Sequence, residues 1–260
     1  EITCRDWSSD VCSSDLGVTY VKYFFKKQFS DLPTLETMKQ ELNVLCYRYL
    51  DIIEESKRSL VEKSSKLLTN LDKIFTHCHS STVVELIKTL GKRDSNFEVV
   101  CTETRPLFQG RTTAKNLVNA GIKTTMIADS AGESFIINRG SIPIDVVFIG
   151  CDQITSKGHA INKIGSWGLG MAAHYADKPF YVVTPLLKVD PNSFKETVKI
   201  EVREDTELWK EAPKKLHMFN PAFEIVDNKL ITGYITELGI LKPNEIDTIV
   251  KEKYPWILED

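Results

Sequence analysis

The sequence predicts an α/β protein: a Rossmann-like parallel sheet flanked by helices, with a small N-terminal helical domain in front. Three observations carry this reading. From Lys73 onward, short β-rich runs alternate with helical windows, the order that βαβ units require. The run Val146-Val147-Phe148-Ile149 is apolar on both faces, as suits a parallel strand covered by helices on either side. From Val18 to Leu71 the pattern is helical.

In that helical stretch, the window opening at Asp51 sets Ile52, Ile53, Leu60, Val61, Leu67, Leu68 and Leu71 on a broad apolar stripe, with Glu54, Glu55, Lys57, Arg58 and Lys63 mostly elsewhere. Leu32-Pro33-Thr34 interrupts the helices, because a residue before proline is pushed out of the αR region. The helical domain is therefore assigned to residues 17–72 and the α/β domain to residues 73–260. The strand runs are Ile74-Phe75, Phe97 to Cys101, Thr124 to Ala128, Val146 to Ile149 and Phe180 to Val183. The helical windows are Ser80–Leu90, Thr112–Ala120, Ala131–Asn138 and Gly165–Ala176, with Gly91, Gly121 and Gly140 where helices should end. No GxGxxG follows the first strand and no Walker A pattern occurs, so a dinucleotide is not indicated.

Residues 1–16, EITCRDWSSDVCSSDL, do not start with Met, repeat Ser-Ser-Asp and follow neither the strand nor the helix period. They resemble translated sequencing-adapter read-through, with a polar native tail as the alternative. The segment is expected to add nothing to the fold.

Bulk properties narrow the function classes. The 42% hydrophobic and 27% charged content of this 260-residue chain is ordinary for a globular protein. A formal charge of -3 argues against nucleic acid as the main partner. No apolar run is long enough for a bilayer, and no basic region followed by an apolar stretch marks a signal peptide. The six cysteines (Cys4, Cys12, Cys46, Cys78, Cys101 and Cys151) show no metal-type pairing and no dense framework. A cytoplasmic protein is expected.

Ligands of open α/β sheets bind beyond the carboxyl ends of the strands, so the polar residues after each run are the candidates. Cys78 precedes Ser80, Ser81 and Thr82 at a helix start. There, free N–H groups would lower a thiol pKa and bind a phosphate; a small buried hydrophobe is the alternative. His77 and His79 flank it, but alternation puts neither on the face of Cys78. No closed ligand set completes a metal site, so they read as orienting or packing residues. Asp152 follows an apolar strand and Gly150-Cys151; it is a catalytic candidate, or else the N-cap of a following helix. Asn162, Lys163 and Ser166, near a helix start, suit an anion. Lys188 lies a turn beyond Val183. Arg105 and Arg111 could reach a phosphate, or Glu103 could take one of them in an ion pair.

Together these residues resemble a known family. THCHSSTV (76–83), ETRPLFQGRTTAKNL (103–117), GCDQITSKGHAINKIGS (150–166), PFYVVTPLLK (179–188) and NPAFEIVDNKLITGYITELGI (220–240) look like the superfamily uniting three groups: methylthioribose-1-phosphate isomerase, archaeal ribose-1,5-bisphosphate isomerase and the alpha, beta and delta subunits of translation initiation factor 2B. The likeness runs from Phe75 to the C-terminus and is weaker in the helical front. It implies an aldose–ketose isomerase with Cys78 as base and Asp152 as acid. It also implies sugar-phosphate contacts from Ser80, Ser81, Thr82, Asn162, Lys163 and Lys188, no metal or organic cofactor, and a homodimer or hexamer. The non-catalytic initiation-factor subunits generally replace the Cys and Asp; both are present here. THCHSST looks closer to the ribose-bisphosphate branch than to the methylthioribose branch. Two departures stand out. The family's N-terminal Arg-Gly-Ala has no counterpart, and its Arg-Pro-Thr appears as Leu32-Pro33-Thr34, which puts a bisphosphate substrate in question.

Overall fold

A computed structural model describes residues 7–29, 34–93, 96–194 and 198–258, with side chains from residue 16 onward. Two long helices lead, α1 (Trp7–Gln28) and α2 (Leu35–Leu67). The proline break between them falls on residues 32 and 33, outside the described residues. Just after it, Thr34 is the N-cap of α2, its hydroxyl accepting from Thr37 N at 3.3 Å, which satisfies one of the first-turn donors. α1 takes in the second part of the 1–16 segment, and Leu16 is buried. Both helices pack into the same core as the sheet, where Leu16, Tyr20, Leu45 and Tyr49 join Trp256 and Leu186. The α2 stripe is buried at Leu60 and Leu68 and half-buried at Ile52, Ile53, Val61 and Leu71; Leu67, the last residue of the helix, departs from it and is exposed. Each fully buried Leu or Ile contributes roughly 1.5–3 kcal/mol.

The remaining elements are β1 (Lys73–His77), α3 (Ser81–Gly91), β2 (Glu98–Thr102), α4 (Gln109–Asn119), β3 (Lys123–Ile127), α5 (Gly132–Ile136) and β4 (Val146–Ile149). Then come β5 (Gln153–Ile154), β6 (Ala160–Lys163), α6 (Ser166–Tyr175), β7 (Phe180–Val183), β8 (Phe223–Val226), β9 (Gly233–Thr236), β10 (Gly239–Leu241) and α7 (Ile246–Lys253). The five predicted strands are β1, β2, β3, β4 and β7, and the four predicted helical windows are α3 to α6. Of the three glycines placed at helix ends, Gly121 alone takes a left-handed conformation, with φ +78 after α4. Gly91 lies within the last turn of α3.

The main sheet has seven strands in the order β10-β9-β7-β4-β1-β2-β3. All are parallel except β10, which returns antiparallel on β9. β1 and β4 are neighbours at the centre, with Ile74 facing Val146 and His77 facing Ile149. From this pair the chain winds outward through β2 and β3 on one side, and through β7 and β9 on the other. The gap between the ends of β1 and β4 is thus the switch point, where an open parallel sheet leaves a crevice. A smaller antiparallel sheet, β5-β6-β8, stands beside it. No helix among the described residues is long and apolar enough to cross a membrane.

Candidate active site

Cys78 is the first residue beyond β1, and Gly150, Cys151 and Asp152 follow β4. The two segments run against each other: a Cβ on Gly150 would lie 2.8 Å from Ser80 Cβ, so only glycine lets them close. Asp152 is followed by a strand, β5, and its own N–H donates to Ile161 O at 2.9 Å. A helix cap is therefore not its role, because no helix begins there.

Cys78 is 7% exposed and has φ +66. Its thiol is pushed up to about 12, chiefly by burial. The His79 N–H and the charge of Lys163 pull it down, and Asp152 and Asp129 push it up. A lowered thiol pKa was expected from the helix start. The N–H contribution is present, but loss of water around the sulfur outweighs it. Asp152 is raised to about 6 by burial, against the opposing charges of Lys188 and Lys163.

The lysines come from two directions. Lys163 closes β6 and is 2% exposed, its Nζ 5.1 Å from the centre of the Phe223 ring on β8. Among the described residues it forms no ion pair; a buried ammonium in that condition calls for an anion. Lys188 follows β7 and donates to Cys151 O at 2.8 Å.

The other predicted residues divide. Ser80 is the N-cap of α3, its Oγ accepting from Val83 N at 3.4 Å beside Gly150. Exposed Ser81 and buried Thr82 line a cavity of about 620 Å³ between α2 and α3. Asn162 is buried and commits its amide to Ser166 Oγ at 2.8 Å. At the start of α6, Glu224 Oε1 accepts from Gly165 N at 2.7 Å and from Trp167 N at 2.8 Å, so a carboxylate of the chain itself takes two of the donors there. Arg105 donates to Leu208 O at 3.0 Å, and Arg111 pairs with Glu103 at 3.1 Å while lying over the Phe108 ring. Both arginines serve the loop after β2. Among the described residues no cluster of three or more His, Cys, Asp and Glu could hold a metal.

Thr104 and Asp129 are among the polar residues that follow strand runs, but the contact by which they build this loop does not show in the sequence. Asp129 takes Thr104 N at 2.7 Å and Arg105 N at 2.6 Å. Thr104 itself sits at φ 63, a region a β-branched residue enters at a cost of about 1–3 kcal/mol. Gly110 packs so close to Thr102 O and Thr104 Oγ1 that a Cβ would collide. Phe223 and Glu224 lay within a quoted motif, but their pairing with Asn162 and Lys163 depends on β8 reaching β6 from far along the chain.

A doubly wound sheet with a thiol and a carboxyl on either side of its switch point, and a buried lysine, defines a Rossmann-like α/β protein. The chain belongs to the initiation factor 2 subunit family, whose model matches residues 16–243. It is 34% identical over 223 residues to the ribose 1,5-bisphosphate isomerase of Archaeoglobus fulgidus, an alignment covering 85% of this chain and 70% of that one. It is 36% identical over 206 residues to the methylthioribose-1-phosphate isomerase of Symbiobacterium thermophilum, covering 72% of this chain and 56% of that one. The chain thus spans little more than half the length of the second relative. Among solved structures it resembles the Pyrococcus horikoshii OT3 translation initiation factor eIF-2B, with a TM-score of 0.70, 31% identity, and coverage of 78% and 70% of the two chains.

Proposed function

We propose that the chain is a sugar-1-phosphate aldose–ketose isomerase, with ribose-1,5-bisphosphate to ribulose-1,5-bisphosphate as the reaction and Cys78 and Asp152 as the proton-transfer pair. The observation that carries this is the pair's position: one residue follows β1, the other lies just past β4, and the charge of Lys163 acts on both. A phosphate on C1 prevents simple ring opening, so an acid must protonate the ring oxygen as the C1–O bond breaks. A base then removes the C2 proton, and the resulting enediol-like intermediate is protonated at C1 to give the ketose. With Asp152 raised to about 6 and Cys78 to about 12, the one proton the pair holds between those values rests on Cys78. In the proposed roles it must pass to Asp152, which then protonates the ring oxygen while the Cys78 thiolate takes the C2 proton. Lys163 and Lys188 neutralise the phosphate, with Ser80, Ser81, Thr82 and Asn162 as the further sugar-phosphate contacts that the likeness implies. The likeness to ribose 1,5-bisphosphate isomerases and the THCHSST run favour that substrate over methylthioribose phosphate.

A second reading is a regulatory subunit that binds sugar phosphate or nucleotide without turnover; the likeness to eIF-2B favours it. One experiment separates the two. The full chain is incubated with ribose-1,5-bisphosphate or 5-methylthioribose 1-phosphate and the carbonyl carbon followed by NMR. Ketose from the bisphosphate supports the isomerase. Ligand-induced thermal stabilisation with no ketose from either substrate would leave the regulatory reading standing.

A further inference from the structure

Both backbone polar groups of Cys78 end on threonine hydroxyls. Its N–H donates to Thr104 Oγ1 at 3.0 Å, and its carbonyl accepts from Thr113 Oγ1 at 2.8 Å. The direction of every further bond follows from these ends. Ile164 O can only accept, so His77 Nε2, 3.0 Å away, donates to it. His77 is buried and its pKa is lowered, so the ring is neutral and Nδ1 must accept. Thr102 therefore donates to His77 Nδ1 at 2.6 Å, and its oxygen accepts from the Thr104 hydroxyl at 3.2 Å. That leaves the Thr104 oxygen as acceptor for Cys78 N–H. On the other side, Thr113 spends its hydrogen on the Cys78 carbonyl and so accepts from His79 Nδ1 at 3.0 Å. Each histidine flanking the cysteine thus backs one of the threonines. All three threonines are buried, where such bonds are not exchanged for water.

We propose that Thr104 and Thr113 are positioning residues, whose hydroxyls grip Cys78 from both ends and keep it in its left-handed backbone conformation beyond β1. The inference rests on reading Cys78 as a proton-transfer group. Cys78 and Thr104, at φ 66 and 63, face each other across the first of these bonds; neither conformation holds without support. The second threonine comes from α4, so the grip spans β1, the loop after β2 and a helix.

The test uses the full chain. Thr104→Val and Thr113→Val remove a hydroxyl and keep the shape; Thr104→Ser and Thr113→Ser keep the hydroxyl. Thr104→Ala is the safeguard against misfolding, since it also relieves the β-branched crowding at positive φ. With ribose-1,5-bisphosphate, the Val and Ala variants should lose about 10- to 100-fold in kcat, the scale of a catalytic group misplaced by about 1 Å, with KM little changed. The Ser variants should keep near-parental kcat. Hydrogen exchange of the Cys78 amide, read by NMR, should speed up about tenfold or more in Thr104→Ala and not in Thr104→Ser. Parental kcat in Thr104→Ala and Thr113→Val, or unchanged exchange at Cys78 in Thr104→Ala, would overturn the proposal. If the parent itself makes no ketose, the isomerase reading fails on its own, and the amide exchange still decides whether the grip exists.

Discussion

The ammonium of Lys188 donates to the backbone carbonyl of Cys151 at 2.8 Å, which ties the end of β7 to the residue beside Asp152. The same charge offsets part of the burial that raises Asp152 to about 6. Below that pH both members of the Cys78–Asp152 pair are protonated. kcat/KM should therefore rise with pH through about 6 and then level. Lys188→Met should move this limb to higher pH, because a charge favouring the carboxylate is gone, and Asp152→Asn should abolish it. A limb that stays in Asp152→Asn would belong to the substrate phosphate, and Asp152 would lose its role.

Cys78→Ser and Asp152→Asn should each lower turnover by about 100- to 10,000-fold, the span of a positioned acid or base. The double variant should fall little further, since groups sharing one proton-transfer cycle are non-additive. Thermal melts should barely move, because Ser and Asn keep the size of what they replace. Losses that multiply in the double variant would show two independent roles.

Glu237 offers a test of pH-dependent stability away from the site. Its buried carboxyl accepts from Leu186 N at 3.1 Å and from Tyr254 OH at 2.7 Å, while its backbone carbonyl accepts from Lys63 Nζ at 2.7 Å. Burial raises its pKa above the usual 4.5. The folded protein thus favours the neutral acid, and the stability tied to that form is present at low pH and lost as pH rises through the raised value. Glu237→Gln has no such loss. Its melting temperature relative to the parent should be more favourable at about pH 8 than at about pH 5; a gap that is constant or runs the other way would count against the assignment.

Removing residues 1–15 should change stability by no more than about 0.5 kcal/mol. Leu16→Ala should cost about 2–5 kcal/mol, as for a buried leucine, because Leu16 shares a core with Tyr20, Tyr49 and Trp256. Denaturant melts of the two variants separate the cases. A large loss on truncation would mark the leading segment as packed protein.

The parts of the fold legible in the sequence were those with local causes. β4 announces itself as Val-Val-Phe-Ile, and α3 as an amphipathic window behind a serine cap. β9 and β10 were not foreseen, because Gly233–Thr236 and Gly239–Leu241 are short, carry glycine and become strands through pairing with β7 and with each other. The site divides in the same way. Cys78, Asp152 and Lys188 follow strand ends, and so could be proposed from the order of elements. Asp129 follows β3 in the same way, but its bonds to Thr104 and Arg105, like the contacts of Glu224 and Thr113, depend on which loops meet. The left-handed backbone at Thr104 leaves no mark in residue type, since threonine is a poor choice for it.

The central pairing of β1 with β4 has a consequence for how this protein comes to be competent. Cys78 belongs to the half of the sheet that winds through β2 and β3, and Asp152 to the half that winds through β7 and β9. Neither half alone holds both groups. Ile74 must find Val146 across a long intervening chain, and such non-local parallel pairings are slow to form. During refolding, helical signal and hydrophobic collapse should return early. With the roles proposed for Cys78 and Asp152, activity should return only with the docking of the two halves, later than either early signal.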